Sequence, residues 1–173
     1  MDDIHLVGYD PGWPEMYQAE AECVLSVLPA GLVRAIEHFG STAIPGLAAK
    51  PIIDILVAVR SVPEAREVAV SPLESLGYAF WADNPKRDCL FFVKGLPPRA
   101  PHRTHHVHMT ELDSEMWERL LFRDYLRTHP EAASRYEALK FELMDRYRDD
   151  REAYSDAKSA YVEEIMLLAR ASS

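Results

Sequence analysis

The chain has 173 residues, a length that suits one domain with a substantial core. Its composition is 48% hydrophobic and 27% charged, which is typical of globular proteins, and no apolar run approaches the roughly 18 residues of a membrane span. We therefore expect no membrane partner. The formal net charge of −9 argues against a binder of long nucleic acid, which would need basic patches, so we expect a small-molecule partner.

The N-terminal residues 1–5 lack the basic and apolar regions of a signal peptide, which predicts a cytoplasmic protein. The two cysteines, Cys23 and Cys89, lie among apolar residues and are expected to be reduced core residues. Because the sequence contains no C-x-x-C motif, a cysteine-based zinc site is not expected.

The first half of the chain alternates helical and strand patterns. These predict a helix over 11–29, a strand over 32–38, a turn-rich loop over 40–46, a strand over 52–59 and a helix over 63–76. The strand over 52–59 is almost continuously apolar, which is typical of a central strand buried on both faces.

Shorter strands and then helices follow. They are predicted as strands over 78–81, 88–94 and 104–110, and helices over 114–128, 130–147 and 152–169. A segment rich in Pro and Arg, 95–103, is predicted to be a loop and a candidate lid. The expected fold is a single α+β domain, 1–173, in which a mixed β-sheet of four to five strands packs with helices and ends in a run of three helices.

Several charged side chains fall on the apolar faces of these helices. They are Glu20, Asp124, Lys140 and Lys158, and Arg123 and Arg127 flank Asp124. A buried unpaired charge is costly, so each group needs a partner. Two interpretations stay open: the charges pair with one another at the edge of the core, or the lysines and arginines converge on an anionic ligand. Arg123 and Arg127 are four residues apart and could grip one phosphate together.

A second candidate region joins the loop after the first strand to the buried strand. Gly40 and Ser41 offer close backbone approach and a hydroxyl donor to a phosphate. Lys50 precedes the buried strand, and Asp54 lies near its start among apolar residues. A carboxylate in that position needs a metal ion, a lysine or an arginine as its partner.

The strand over 104–110 carries alternating polar residues. Thr104, His106, His108 and Thr110 share one face, because successive side chains of a strand point to opposite sides. His106 and His108 could bind a metal such as Zn²⁺ or Mn²⁺, act as a general base with its orienting partner, or bind phosphate. They could also be ordinary hydrogen-bonded histidines.

Four stretches of the chain resemble the GrpB family, and the helices with Tyr136/Lys140 and Tyr154/Lys158 also fit it. The four stretches are YDPGWP at 9–14, HFGSTAIPGLAAKPIIDI at 38–55, the His-Val-His strand and FRDYLR at 122–127. The resemblance runs from about Val7 to Ala169 and implies a nucleotidyltransferase-like fold. Some members of the family are fused to dephospho-CoA kinase.

Active nucleotidyltransferases carry an acidic-apolar-acidic triplet and a third carboxylate that together hold two Mg²⁺ ions. Here the triplet reads Ile52-Ile53-Asp54, so that Asp54 matches the second acid and Ile52 stands at the first. Histidine occupies the expected third position. This set suits a pair of Mg²⁺ ions poorly, which argues against two-metal catalysis. The expected cofactor is a single divalent metal, Mg²⁺, Mn²⁺ or Zn²⁺.

The leading hypothesis is a nucleotidyltransferase-like enzyme acting on a small phosphate-bearing or nucleotide substrate. Asp54, His106 and His108 are its candidate catalytic residues and metal ligands. The candidate phosphate-binding residues are Gly40, Ser41, Lys50, Arg123, Arg127, Lys140 and Lys158. The alternatives are a non-catalytic module that binds a nucleotide or a CoA-like ligand, and a pathway-specific metal-assisted reaction on the same fold.

Overall fold

A computed structural model of the chain describes residues 5–98 and 100–172, apart from the side chain of Arg151. Residues 1–4, used in the prediction of a cytoplasmic protein, and Arg99 of the predicted loop lie outside the described residues. The strands are β1 (Val33–Phe39), β2 (Ile53–Val59), β3 (Tyr78–Phe80), β4 (Leu90–Lys94) and β5 (His105–Thr110). The helices are α1 (Trp13–Val27), α2 (Val62–Val68), α3 (Val70–Ser75), α4 (Glu115–Glu118), α5 (Leu120–Thr128), α6 (Pro130–Arg146), α7 (Arg151–Ala157) and α8 (Ser159–Ala171).

The five strands form one mixed sheet in the order β1-β2-β5-β4-β3. β2 and β5 run parallel, and the other neighbouring pairs are antiparallel. The α+β class and the number of strands therefore agree with the prediction. None of the helices within the described ranges combines the length and the hydrophobicity that crossing a membrane requires.

The two faces of the sheet are covered by different parts of the chain. One face buries the odd-numbered side chains of β2 and β5, such as Ile55 and Val107, against α1, α2 and α3. The opposite face carries Asp54 and Leu56, and it packs near Met116 of α4 and its neighbours. Because β2 has helices on both sides, its nearly continuous apolar sequence follows from its position.

Three predicted helices are each divided in two. The helix expected over 63–76 breaks at Ala69, three residues before Pro72, whose missing N–H removes one helical hydrogen bond. Those expected over 114–128 and 152–169 break at Arg119 and Lys158, whose N–H groups bond to carbonyls three residues back. The C-terminal region therefore contains more, shorter helices than predicted.

The prediction for the cysteines is half right. Cys89 is buried, as expected, but Cys23 is exposed. Cys23 lies on the solvent-exposed side of α1, whereas Ala21 and Val24 lie on the buried side of that helix.

Glu20 lies in a buried polar cluster between α1 and the edge of the sheet. Its carboxylate accepts hydrogen bonds from Lys94 Nζ at 2.7 Å and from the Tyr78 hydroxyl at 2.9 Å. His105 Nε2 lies 4.0 Å from its other oxygen. For Glu20 the structure therefore supports pairing within the protein.

We predict that Glu20→Ala lowers the free energy of unfolding by about 2 kcal/mol, because it leaves the Lys94 ammonium and the Tyr78 hydroxyl without their acceptor. Urea denaturation measures the change. Glu22→Ala on the exposed side of the same helix is the control and should shift stability by less than about 0.5 kcal/mol. Equal losses in the two variants would contradict this role of Glu20.

Candidate functional site

A cleft of about 800 Å³ opens on the face of the sheet that carries Asp54. This volume lies within the range of small-molecule sites. Its polar lining consists of Gly40, Ser41, Thr42, Lys50, Asp54, Arg103, His106, Tyr136, Lys140, Glu152, Tyr154, Ser155 and Lys158. Its apolar lining consists of Leu6, Ile52, Ala79, Phe80, Trp81, Phe91, Val93 and Leu96.

At the centre of the polar lining, Asp54 and His106 form a pair across two parallel strands. The register of β2 and β5 places the two residues side by side. His106 Nδ1 lies 3.0 Å from Asp54 Oδ1. Burial raises the pKa of Asp54, but the hydrogen bond to His106 and the charges of His106 and Lys50 outweigh it, so the pKa is lowered overall. Asp54 is therefore ionised at neutral pH.

The second ring nitrogen of His106, Nε2, is buried. It has no hydrogen-bond partner among the described residues. A buried polar atom left in this state typically costs about 1–3 kcal/mol. A substrate proton or a metal ion at Nε2 would recover that free energy.

Gly40 makes room for the Asp54 carboxylate. Its φ angle is +72°, in the region that favours glycine. A Cβ atom at Gly40 would lie 2.5 Å from Asp54 Oδ2. Gly40, which was predicted to approach a phosphate, is therefore required because any larger residue would collide with the Asp54 carboxylate.

His108 lies behind this pair and does not line the cleft. Its ring packs against Phe91 with a centroid distance of 4.5 Å and against Phe39 at 5.3 Å. Burial lowers the pKa of His108 to about 3, against the opposing effect of Asp54, so the ring is neutral at physiological pH. His108 therefore has a different environment from His106, although both lie on the same face of β5.

The geometry of Asp54, His106 and His108 is compatible with one metal ion. One ligand atom from each residue lies within 4.8 Å of the others. One carboxylate oxygen and two imidazole nitrogens suit Zn²⁺ or Mn²⁺ better than a pair of Mg²⁺ ions. Ile52 lines the same cleft where an additional carboxylate would be expected, and its side chain cannot bind metal.

Three lysines of the cleft, Lys50, Lys140 and Lys158, lie beside the rings of Tyr136 and Tyr154. Lys158 Nζ lies 4.3 Å and Lys50 Nζ 5.0 Å from the centroid of the Tyr154 ring. Lys140 Nζ lies 4.9 Å from the Tyr136 ring and donates to the Ala48 carbonyl. The two Tyr-Lys pairs are each spaced four residues apart, so each pair shares one side of its helical segment.

Lys140 is 1% exposed, and within the described part of the chain no carboxylate forms an ion pair with it. The nearby Glu137 instead accepts a hydrogen bond from the Ala48 N–H at 2.6 Å. Burial and the neighbouring ammonium of Lys158 lower the pKa of Lys140 from 10.5 to about 7, despite the opposing charge of Glu137. This arrangement favours an anion in the cleft.

The prediction that Arg123 and Arg127 grip a phosphate needs correction. Arg123 is buried and donates to Glu37 at 2.7 Å, to the His38 carbonyl at 2.8 Å and to Asp124 at 2.7 Å. Arg127 donates to the Ala43 carbonyl at 2.9 Å. Neither arginine lines the cleft. Arg123 joins α5 to β1, and Arg127 joins α5 to the turn that follows β1.

Sequence reasoning assigned no role to several residues of the cleft. The aromatic side chains of Trp81 and Phe91 and the charged side chains of Arg103 and Glu152 were missed. Tyr154 has a fully buried ring, and its hydroxyl has no hydrogen-bond partner among the described residues. The spacing of Tyr154 and Lys158, four residues apart, was the signal that could have marked the tyrosine.

The predicted loop over 95–103 borders the cleft through Leu96 and Arg103. Its closure over a ligand stays a prediction.

The mixed sheet, the Gly-Ser loop and the Asp-bearing strand are consistent with a nucleotidyltransferase-like fold. A model of the GrpB protein family matches residues 3–167, and the chain therefore belongs to the GrpB family. The crystal structure of conserved protein GrpB from Enterococcus faecalis superimposes with a TM-score of 0.84 at 33% sequence identity, covering 95% of this chain and 96% of that one.

Two curated relatives differ in length from this chain. A UPF0157 protein of Pseudomonas aeruginosa is 48% identical over 166 residues, covering 95% of this chain and 67% of that protein. A dephospho-CoA kinase of Mycolicibacterium paratuberculosis is 30% identical over 181 aligned positions, covering 91% of this chain. The chain spans only 44% of the length of that kinase.

We predict that Gly40→Ala destabilises the protein more than Gly46→Ala. Gly46 also has a positive φ, of +81°, but a methyl group at that position would meet nothing within 4 Å, so only backbone strain of about 1–3 kcal/mol is expected there. Gly40→Ala adds the clash with Asp54. Thermal or urea unfolding of both variants gives the comparison, and equal losses would argue against the close approach.

We predict that Lys140 makes stability depend on pH. Because its pKa is about 7 in the folded protein and about 10.5 when unfolded, the unfolded chain binds the extra proton between these values. Stability should therefore rise with pH across this window, by at most about 1.4 kcal/mol per pH unit from this group. Urea unfolding from pH 7 to pH 9 should show this rise in the wild type and a smaller one in Lys140→Met. Parallel profiles would contradict the assignment.

Proposed function

We propose that the cleft binds a small phosphate-bearing molecule, such as a nucleotide, and that the protein transfers a nucleotidyl or related phosphate-bearing group from it. The observation that carries this proposal is that one cleft joins the Asp54–His106 pair to three lysines. This combination offers both a place for phosphate charge and a group that can move a proton.

The lysines supply the phosphate-binding part of the proposal. Lys140 is held in a buried position with no carboxylate partner in the described part of the chain, and Lys158 and Lys50 lie near it. An anionic ligand would relieve the repulsion among these ammonium groups. The Ser41 hydroxyl, at the start of the turn that lines the same cleft, adds a further donor.

The Asp54–His106 pair supplies the proton-transfer part. Asp54 accepts a hydrogen bond from His106 Nδ1–H, which leaves the Nε2 lone pair to act as a base. In the proposed step, an acceptor hydroxyl forms a new P–O bond as the bond from phosphorus to the leaving phosphate breaks. His106 Nε2 takes the hydroxyl proton, and the departing phosphate carries away the bonding electron pair.

A second candidate is a metal-assisted reaction on the same fold. The proximity of ligand atoms from Asp54, His106 and His108 favours it. These three residues would hold one Mn²⁺ or Zn²⁺ ion, which when bound would polarise a phosphoryl or carbonyl oxygen. In that case the lysines keep their role in binding the anionic part of the substrate.

The relationship to a dephospho-CoA kinase makes nucleotides and CoA precursors reasonable first ligands to test. A thermal-shift screen with and without Mn²⁺ or Zn²⁺ would identify a ligand, and phosphorus NMR with candidate acceptors would detect transfer. A ligand bound only by the folded protein raises the unfolding midpoint. Failure of every phosphate-bearing compound to shift it would contradict the proposal.

We predict that Asp54→Asn abolishes transfer but leaves metal-free phosphate binding unchanged or slightly stronger, since it removes a negative charge next to the anion. Rates from phosphorus NMR and affinities from calorimetry separate these effects. Asp113→Asn, an exposed position outside the cleft, is the control. Transfer at the wild-type rate in Asp54→Asn would rule out the catalytic pair. If the wild-type protein binds the phosphate-bearing ligand but transfers no group from it, the protein is a binding module.

A further inference from the structure

An aromatic wall faces the cleft at the outer part of the sheet. It consists of Trp81 and Phe91, whereas the neighbouring Phe80 ring packs against Phe92 on the opposite face of the sheet. Phe91 is 8% exposed, whereas Trp81 is 50% exposed, which leaves much of a large apolar side chain open to the solvent. Lone exposed apolar residues are common, but this one borders a cleft that also holds the candidate catalytic pair.

The backbone around Trp81 holds its side chain on the sheet. The Trp81 N–H donates to the Phe91 carbonyl at 2.9 Å, which continues the pairing of β3 and β4 by one residue beyond Phe80. The Trp81 and Phe91 rings have centroids 5.6 Å apart and are inclined by 55°. Because they are inclined rather than stacked, Phe91 does not cover a whole face of the indole.

The aromatic wall is continuous with the Asp54–His106 pair. The Phe91 ring lies 5.1 Å from the His106 ring in an edge-to-face arrangement. Phe91 thus contacts Trp81 on one side and His106, the candidate proton acceptor, on the other. A group placed on Trp81 would be separated from His106 by a single aromatic side chain.

We propose that Trp81 stacks on a planar aromatic ring of the same ligand whose phosphate is held by the lysines, so that the substrate is a nucleoside phosphate. This inference rests on the proposed function and specifies its substrate class. A bare phosphate would use a small part of an 800 Å³ cleft, whereas a base, a sugar and a phosphate would extend from the aromatic wall to the lysines. Stacking on an aromatic side chain is a common way to hold a nucleobase.

The test compares two ligands that differ only in the base, AMP and ribose 5-phosphate. Calorimetric titrations use the wild type, Trp81→Ala, Trp81→Phe and Leu112→Ala, an exposed position outside the cleft. AMP is expected to bind roughly 5- to 150-fold more tightly than ribose 5-phosphate, the range that one stacked base contributes. Trp81→Ala should remove most of this preference, Trp81→Phe should keep part of it, and Leu112→Ala should keep all of it.

The outcomes separate this inference from the proposed function. If both ligands bind equally to the wild type, or if Trp81→Ala leaves the preference intact, the aromatic subsite is wrong while phosphate binding stands. If ribose 5-phosphate affinity falls as much as AMP affinity in Trp81→Ala, the residue supports the fold of the cleft and does not contact a base. If neither ligand binds, the proposed function fails and this inference fails with it.

Discussion

The hydrogen bond between Asp54 and His106 is the interaction on which the candidate site depends. It joins β2 to β5, which are the parallel neighbours at the centre of the sheet, and the register of those strands fixes the pair. Gly40 leaves space for the carboxylate, and Lys50 contributes to the low pKa that keeps it ionised. The position of the reactive groups is thus determined by the most buried part of the fold, which is a rigid support for a site.

The charged residues on the helix faces differ in whether they already have a partner within the protein. Arg123 and Arg127 are already engaged with the protein, and Glu20 pairs with Lys94 on the opposite face of the sheet. Lys140 is different, since it is buried beside Lys158 and, within the described part of the chain, forms no ion pair with a carboxylate. An acidic protein can therefore present a local anion site, because Lys140 is buried in the cleft while Arg123 and Arg127 already bond to protein groups.

Much of the fold and part of the site follow from sequence alone. The apolar run of β2 and the alternation of β5 identified the strands, and the register then brought Asp54 and His106 together. Helical periodicity placed Lys140 on a buried face, but it could not distinguish Lys140 from Arg123, because the Glu37 and Ala48 groups that they contact lie far away in sequence. The role of Trp81 was missed for the same reason, since a three-residue edge strand carries little pattern and the cleft exists only after the chain has folded.

In the proposed function, the lysines and the Asp54–His106 pair contact the same phosphate-bearing ligand. A crystal structure with a non-hydrolysable nucleoside triphosphate tests it most directly. We expect phosphate oxygens in contact with Lys140 and Lys158, and the reacting phosphorus on the side of the cleft where His106 lies. A nucleotide bound outside this cleft, or a cleft that stays empty at saturating nucleotide, would show that these residues do not bind the substrate.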